Sequence, residues 1–167
     1  YKKALKIKPS FPAVYLNMGL GLQQQGDFEA ALASYKKAIE IDPENAEAYF
    51  NMGLTLQDQG DLEAALASYK KAIEIDPNYA AAHYNIGNFQ KEHGDMEAAN
   101  VCYKKALKAK PNFPEAYLNM GLALRRQGNF EAAFESYKKA IEIDPEYADA
   151  YVNMEFAFEN MGDLDAA

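Results

Sequence analysis

The sequence predicts an all-α fold, a solenoid of antiparallel helix-turn-helix units, and three observations carry that prediction. Pro9, Pro43, Pro77, Pro111 and Pro145 recur on a constant step of 34 residues. Gly26, Gly60, Gly94, Gly128 and Gly162 keep the same step, as do Tyr1, Tyr35, Tyr69, Tyr103 and Tyr137. Inside each period the apolar residues recur at helical spacing, and no stretch alternates as a half-buried strand would. A fixed period of about 20–50 residues marks supersecondary units that must stack to bury a core.

The elements follow in order. Residues 1–11 read as the second helix of a preceding repeat. The first complete repeat, 12–45, sets the pattern. Tyr15, Met18, Gly19 and Leu22 stand at i, i+3, i+4 and i+7, one stripe of an α-helix. Gly26-Asp27 then breaks the chain, with Gly suited to a C-terminal cap, Asp to the next N-cap and Glu29 to the first turn that follows. Phe28, Ala31, Tyr35 and Ala38 form a second stripe, which Asp42-Pro43 ends because the residue before proline avoids the α region. Loops this short make consecutive helices antiparallel neighbours. Gly19, Ala31 and Ala38 allow close approach of the two backbones, and Tyr15 and Tyr35 fill the space on either side.

Repeats at 46–79, 80–113 and 114–147 follow, and 148–167 supplies a first helix and the start of a second. The third repeat departs most from the pattern: His83 replaces an aromatic, Gln90 a Leu, Asn100 an apolar residue and Cys102 a Ser. These changes read as drift in a tolerant stack, the other reading being a specialised subsite. In the last unit Glu155 stands where Gly19, Gly53, Gly87 and Gly121 mark close contacts. A buried carboxylate there would be costly, so Glu155 is expected to face solvent. Val152, Met154, Phe156 and Phe158 would leave apolar surface on that helix, which is not how a solenoid end is closed. A longer native polypeptide, or ends packed on a neighbour, is therefore expected.

The residues Tyr15, Met18-Gly19, Leu22, Ala31, Tyr35, Ala38 and Pro43 resemble the signature of the tetratricopeptide repeat (TPR) family. The match repeats at Tyr49, Met52-Gly53, Leu56, Ala65, Tyr69, Ala72 and Pro77. It recurs at Tyr117, Met120-Gly121, Leu124, Ala133, Tyr137, Ala140 and Pro145. The resemblance covers the whole chain. It implies a right-handed superhelical solenoid (an α-α superhelix) whose first helices line a concave inner face.

Composition narrows the function. Of 167 residues, 49% are hydrophobic and 25% charged, a globular balance. Seventeen Lys and Arg against twenty-five Asp and Glu give a net charge of −8, which disfavours nucleic acid as a partner. No apolar run approaches the roughly 18 residues of a membrane span. The single Cys102 excludes an intrachain disulfide and a cysteine-based zinc site. His83 and His93 point apart on one helix and make no metal pair. Tyr1-Lys2-Lys3-Ala4-Leu5 lacks an apolar h-region and a cleavage site, so the chain is read as cytoplasmic. No phosphate loop, nucleophile-base arrangement or carboxylate cluster is visible, so no catalysis, metal or cofactor is expected.

On a wheel of about 100° per residue, the arc opposite the first stripe holds the candidate site. Asn17, Asn51, Asn85, Asn119 and Asn153 repeat there in every unit. Asn is a mediocre helix former, about 0.5 kcal/mol worse than Ala, so propensity does not explain five of them. An amide can engage both N–H and C=O of an extended peptide; a bond to a neighbouring helix is the other reading. Two apolar rows flank the ladder: Leu16, Phe50, Tyr84 and Leu118, and Leu20, Leu54 and Leu122, with Asn88 at the third-repeat step. They are expected to form a part-exposed binding strip, the alternative being that they fill gaps between adjacent first helices. Lys91, Arg125 and Arg126 are the only cations on the arc. The clamp that holds acidic tails in chaperone-binding relatives is absent, its cation positions being taken by Ala13, Leu16 and Ala81. The paired lysines of the second helices read as a solvated face, with Lys36–Glu40 and Lys70–Glu74 as i, i+4 partners.

The function expected is a scaffold that grips an extended peptide or a helix of a partner protein. Two alternatives remain: the substrate-selecting arm of a larger glycosyl- or sulfotransferase-like enzyme, since protein O-GlcNAc transferases resemble this chain in their Asn ladder, and self-assembly through uncapped ends.

Overall fold

The computed structural model describes residues 11–165, with side chains described to Met161, so the helix expected over 1–11 lies outside the described residues except for Phe11. Among the described residues there are nine α-helices and no strand. They are α1 (Pro12–Gln24), α2 (Phe28–Ile41), α3 (Ala46–Asp58), α4 (Leu62–Ile75), α5 (Ala80–Glu92), α6 (Met96–Ala109), α7 (Pro114–Arg126), α8 (Phe130–Ile143) and α9 (Ala148–Asp165). The chain forms two compact units, one ending at Ala82 and the other beginning at His83.

Local chemistry places the helix ends. Asp27, Asp61, Asp95 and Asn129 cap α2, α4, α6 and α8, each side-chain oxygen accepting from the backbone N–H three residues on. That bond satisfies one of the donors a helix N-terminus leaves open. Pro12 and Pro114 open α1 and α7, where a missing N–H costs nothing. Gly26, Gly60, Gly94 and Gly128 take φ between 76° and 83°, the left-handed conformation that turns each first helix into its second. Asp42, Asp76, Lys110 and Asp144 are extended ahead of proline and end the second helices.

In the first unit α1 packs on α2, α2 on α3 and α3 on α4. Leu16, Ala31, Tyr35, Ala38 and Ala48 form a buried cluster, with Leu20 and Met52 packed against it. A methyl group at Gly19 would stand 2.5 Å from Tyr35 Cε1, so only glycine admits the ring. In the second unit α6 packs on α7, α7 on α8 and α8 on α9. One cluster joins Leu118, Ala133, Tyr137, Ala140, Ala150 and Ala157, and another Ala99, Tyr103 and Ala123.

Two expectations need correction. The last element is one continuous helix that runs through Gly162 to Asp165 instead of breaking there. Glycine costs a helix interior only about 1 kcal/mol relative to Ala, so a helix can run through it. The lysine partners also shift by one: Lys37–Glu40, Lys71–Glu74 and Lys139–Glu142 pair at i, i+3, each at 2.5 Å and solvent-exposed. Glu155 is exposed as expected, and Val152 (68% exposed) and Phe158 (65%) leave apolar surface on α9.

Candidate functional site

Each first helix presents the arc predicted to carry the site, and the structure sorts its residues by burial. In the first unit Leu16 is buried in the α1–α2 cluster, so it is not part of an exposed strip. Phe50 is half-buried, with its ring centroid 5.7 Å from Tyr69 and 5.0 Å from Tyr79. In the second unit Leu118 is buried, and Tyr84 lies 6.0 Å from Tyr103 and 4.9 Å from Phe113. Of this row Leu16 and Leu118 are packed inside their units, because branched side chains so close to the hairpin seam gain more from packing than from hydration, whereas Phe50 and Tyr84 stay half-buried. Leu20, Leu54 and Leu122 are half-buried and retain exposed surface beside it.

The asparagines do not form a uniform ladder. Asn17 is exposed, Asn51 is buried, and Asn85, Asn119 and Asn153 are half-buried. Asn119 is fully engaged: its Nδ2 donates to Tyr84 Oη at 2.7 Å and Asn88 Oδ1 at 3.2 Å, and its Oδ1 accepts from Lys91 Nζ at 2.8 Å. Asn153 Nδ2 donates to the Asp149 carbonyl at 2.7 Å, and its Oδ1 accepts from Arg125 at 3.0 Å. Of the two readings left open for the ladder, ligand contact or a bond to a neighbouring helix, these two amides make bonds inside the second unit. An amide beside a desolvated cation gains a charge-assisted bond that no neutral ligand matches.

The cations are therefore held. Burial, the largest effect, lowers the Lys91 ammonium below its usual range; Glu92 opposes the shift and Arg126 adds to it. The Arg125 guanidinium lies 4.9 Å above the Phe156 ring, and Arg126 is exposed.

A further set of residues escaped the sequence reading. The tyrosine of each second helix is buried, and its hydroxyl needs an acceptor. Tyr35 donates to Gln23 Oε1 at 3.0 Å and Tyr69 to Gln57 Oε1 at 2.8 Å. Lys91 and Arg125 stand at the glutamine step in the next two repeats and cannot accept. Tyr103 finds Asn88 Oδ1 at 2.9 Å, whereas Tyr137 Oη has no partner among the described residues. Burial pushes the Tyr35 and Tyr137 phenols up to about 12, and raises Tyr103 further. Part of the signal was present: Gln stands 12 residues before Tyr in the first two repeats, and in the third, where Lys91 replaces it, Asn88 appears three positions earlier, whereas the fourth has Leu122 at that step. Asn100 is a related case, donating from burial to Gln127 Oε1 at 2.9 Å.

On the stripe side of α1 a cleft of about 290 Å³ is lined by Tyr15, Met18, Leu22, Ala33 and Lys37 among others. Met52, one repeat on from Met18, packs against the α2 cluster, so this cleft belongs to the stacking side and not to the arc. No group of three or more His, Cys, Asp or Glu able to hold a metal exists among the described residues.

The family profile described as TPR repeat matches residues 22–60, 56–94, 91–128 and 121–162. A solved structure of MamA superposes with a TM-score of 0.80 at 30% identity, over 90% of this chain and 82% of that one. PilF of Pseudomonas aeruginosa gives 0.79 at 25%, over 91% and 69%. YrrB, described as a TPR protein with an unusual peptide-binding site, gives 0.81 at 24%, over 96% and 83%. The comparison with curated proteins finds no match.

Proposed function

Because the chain belongs to the tetratricopeptide repeat family, we propose that it is a protein-interaction scaffold whose first helices take an extended segment of a partner. One observation carries this reading: Leu20, Leu54 and Leu122 stay half-buried on the same step of their helices, as do Phe50 and Tyr84 on the step beside it. Partly exposed leucines beside amides and cations match the composition of a protein-binding patch, an apolar centre with a polar margin. Asn17 and Asn85 supply the amides for backbone groups in this arrangement, while Asn119 and Asn153 act through the cations they orient. Binding is weak per contact and repeated along the array, which suits a segment without structure of its own.

The test is selection of 12-residue peptides displayed on phage against the 167-residue chain. Binders are expected, and Leu54→Ser with Leu122→Ser should weaken them at least tenfold while circular dichroism stays helical. Failure to enrich any peptide, or binders indifferent to both substitutions, would count against the proposal.

A further inference from the structure

The third repeat reverses the charge at the end of its second helix. In the other three repeats a lysine pair is answered by one Glu and one Asp: Lys36 and Lys37 by Glu40 and Asp42, Lys70 and Lys71 by Glu74 and Asp76, Lys138 and Lys139 by Glu142 and Asp144. Those stretches are electrically balanced, and in each the second lysine is paired with the glutamate. At the same steps the third repeat reads Lys104, Lys105, Lys108 and Lys110, with no acid between the first and the last. This positive charge is concentrated on one helix end of a chain whose net charge is −8.

The geometry of α6 turns it outward. Val101, Lys104, Lys105 and Lys108 stand at i, i+3, i+4 and i+7, one stripe of the helix. All four are exposed, whereas Ala99, Tyr103 and Ala106 on the opposite side are buried. Val101 is 50% exposed, at a step where the other second helices carry Ala33, Ala67 and Glu135. None of the three lysines on the stripe joins the ion pairs among the described residues. Glu97 shares the stripe but lies in the first turn of α6, two turns before Lys104. Past the helix end, the Lys110 ammonium lies 4.4 Å from the centroid of the Phe113 ring.

Helix formation does not call for this reversal. Cations suit a helix C-terminus, yet α2, α4 and α8 end as well with Glu and Asp at these steps. The lysines also carry local costs. Lys104 and Lys108 are like charges at i, i+4, which destabilises a helix slightly. Asp42, Asp76 and Asp144 each accept from the backbone N–H two residues on, a turn bond that Lys110 has no acceptor to make.

We infer that the exposed face of α6 is a docking surface for an acidic segment of a partner protein, a run of Asp and Glu side chains lying along Lys104, Lys105 and Lys108. Val101 offers that segment an apolar contact at the margin. This surface lies on a second helix, apart from the first-helix arc, and does not depend on the reading given to that arc. Lysines are flexible point charges, so they select density of negative charge and not one planar group. At physiological salt an exposed charge is felt over only about 8 Å, so a short acidic segment meets these lysines and little of the acidic remainder. An anionic membrane is extended and would face that remainder too, which makes it the less suitable partner.

The test measures fluorescence anisotropy of a labelled 12-residue peptide of alternating Glu and Ser, against its counterpart with Gln for Glu, on the full chain. At about 50 mM salt the acidic peptide is expected to bind about tenfold more tightly, and the preference should vanish by about 500 mM as screening shortens the reach of each charge. Lys108→Glu/Lys110→Asp gives the third repeat the residues of the other three and should lose the preference while circular dichroism stays helical. Lys108→Gln/Lys110→Gln, which removes charge alone, should weaken the acidic peptide in the same direction and serves if the first variant loses helix. Equal binding of the two peptides by the wild-type chain, or an undiminished preference in a folded variant, would overturn the surface. Sedimentation with phosphatidylserine vesicles that the variants abolish, without any preference between the peptides, would overturn the assignment in favour of a membrane.

Discussion

Tyr35, Tyr69, Tyr103 and Tyr137 share one step of the repeat and one degree of burial, yet their hydroxyls are served differently. Gln23 and Gln57 accept from the first two, Asn88 from the third, and nothing among the described residues from the fourth. A buried hydroxyl with a partner is worth about 1 kcal/mol, and one without a partner is a cost. Tyr35→Phe should therefore lower the free energy of urea unfolding by about 1 kcal/mol, whereas Tyr137→Phe should leave it unchanged or raise it. Equal losses for the two would contradict this account. Asn88→Leu should cost about 1–3 kcal/mol, because it strands the Tyr103 hydroxyl and removes an acceptor from Asn119 as well. The phenols also govern alkaline behaviour. Tyr35 and Tyr137 rise from 10.0 to about 12 on folding, so the folded state binds these protons more tightly. Their contribution is complete below about pH 10 and is lost as pH climbs toward 12. Stability followed by circular dichroism should fall across that window, and Tyr35→Phe should make the fall shallower.

At the scale of the element, two glycines per hairpin have different physical duties. Gly26 has φ +78° and no heavy atom within 4 Å of a built Cβ, so a substitution there is a backbone problem. Gly19 is helical, and a Cβ there would overlap the ring of Tyr35. Both Gly26→Ala and Gly19→Ala should destabilise, by about 1 and about 1–3 kcal/mol. Asparagine separates them: Gly26→Asn should recover most of the loss, since Asn tolerates the left-handed region, and Gly19→Asn should not. Thermal melts of the four variants check this, and rescue at both positions would be inconsistent with it. Helix starts, helix ends and the small-residue seam were legible from Pro43, Gly26, Asp27 and Ala31, because each acts through its own backbone or its nearest neighbours. The exposed row was less so. Leu16 and Leu118 lie on the arc opposite the first stripe of an ideal wheel, but the depth of the hairpin seam, which a wheel does not contain, buries them. Nor does the wheel say which lysine of Lys36-Lys37 meets Glu40, since i+3 and i+4 lie on one face. Gly162 shows the same limit, because a glycine can sit inside a helix as well as end one.

At the scale of the chain, the 34-residue period sets what can be shared and what must vary. Core positions repeat with few changes, since within each unit every hairpin makes the same contact with its neighbour. The first-helix arc varies, with Leu20, Leu54, Asn88 and Leu122 on one step and Gln23, Gln57, Lys91 and Arg125 on another. Variation on this face is what recognition of an uneven partner requires, and the acidic surface elsewhere discourages nonspecific anion contacts. Hydrogen exchange read by mass spectrometry, with and without a phage-selected 12-residue peptide, tests the central claim most directly. The account predicts added protection in α1, α3, α5 and α7, with α2, α4, α6 and α8 unchanged. Protection confined to the second helices, or none in any helix at saturating peptide, would contradict it.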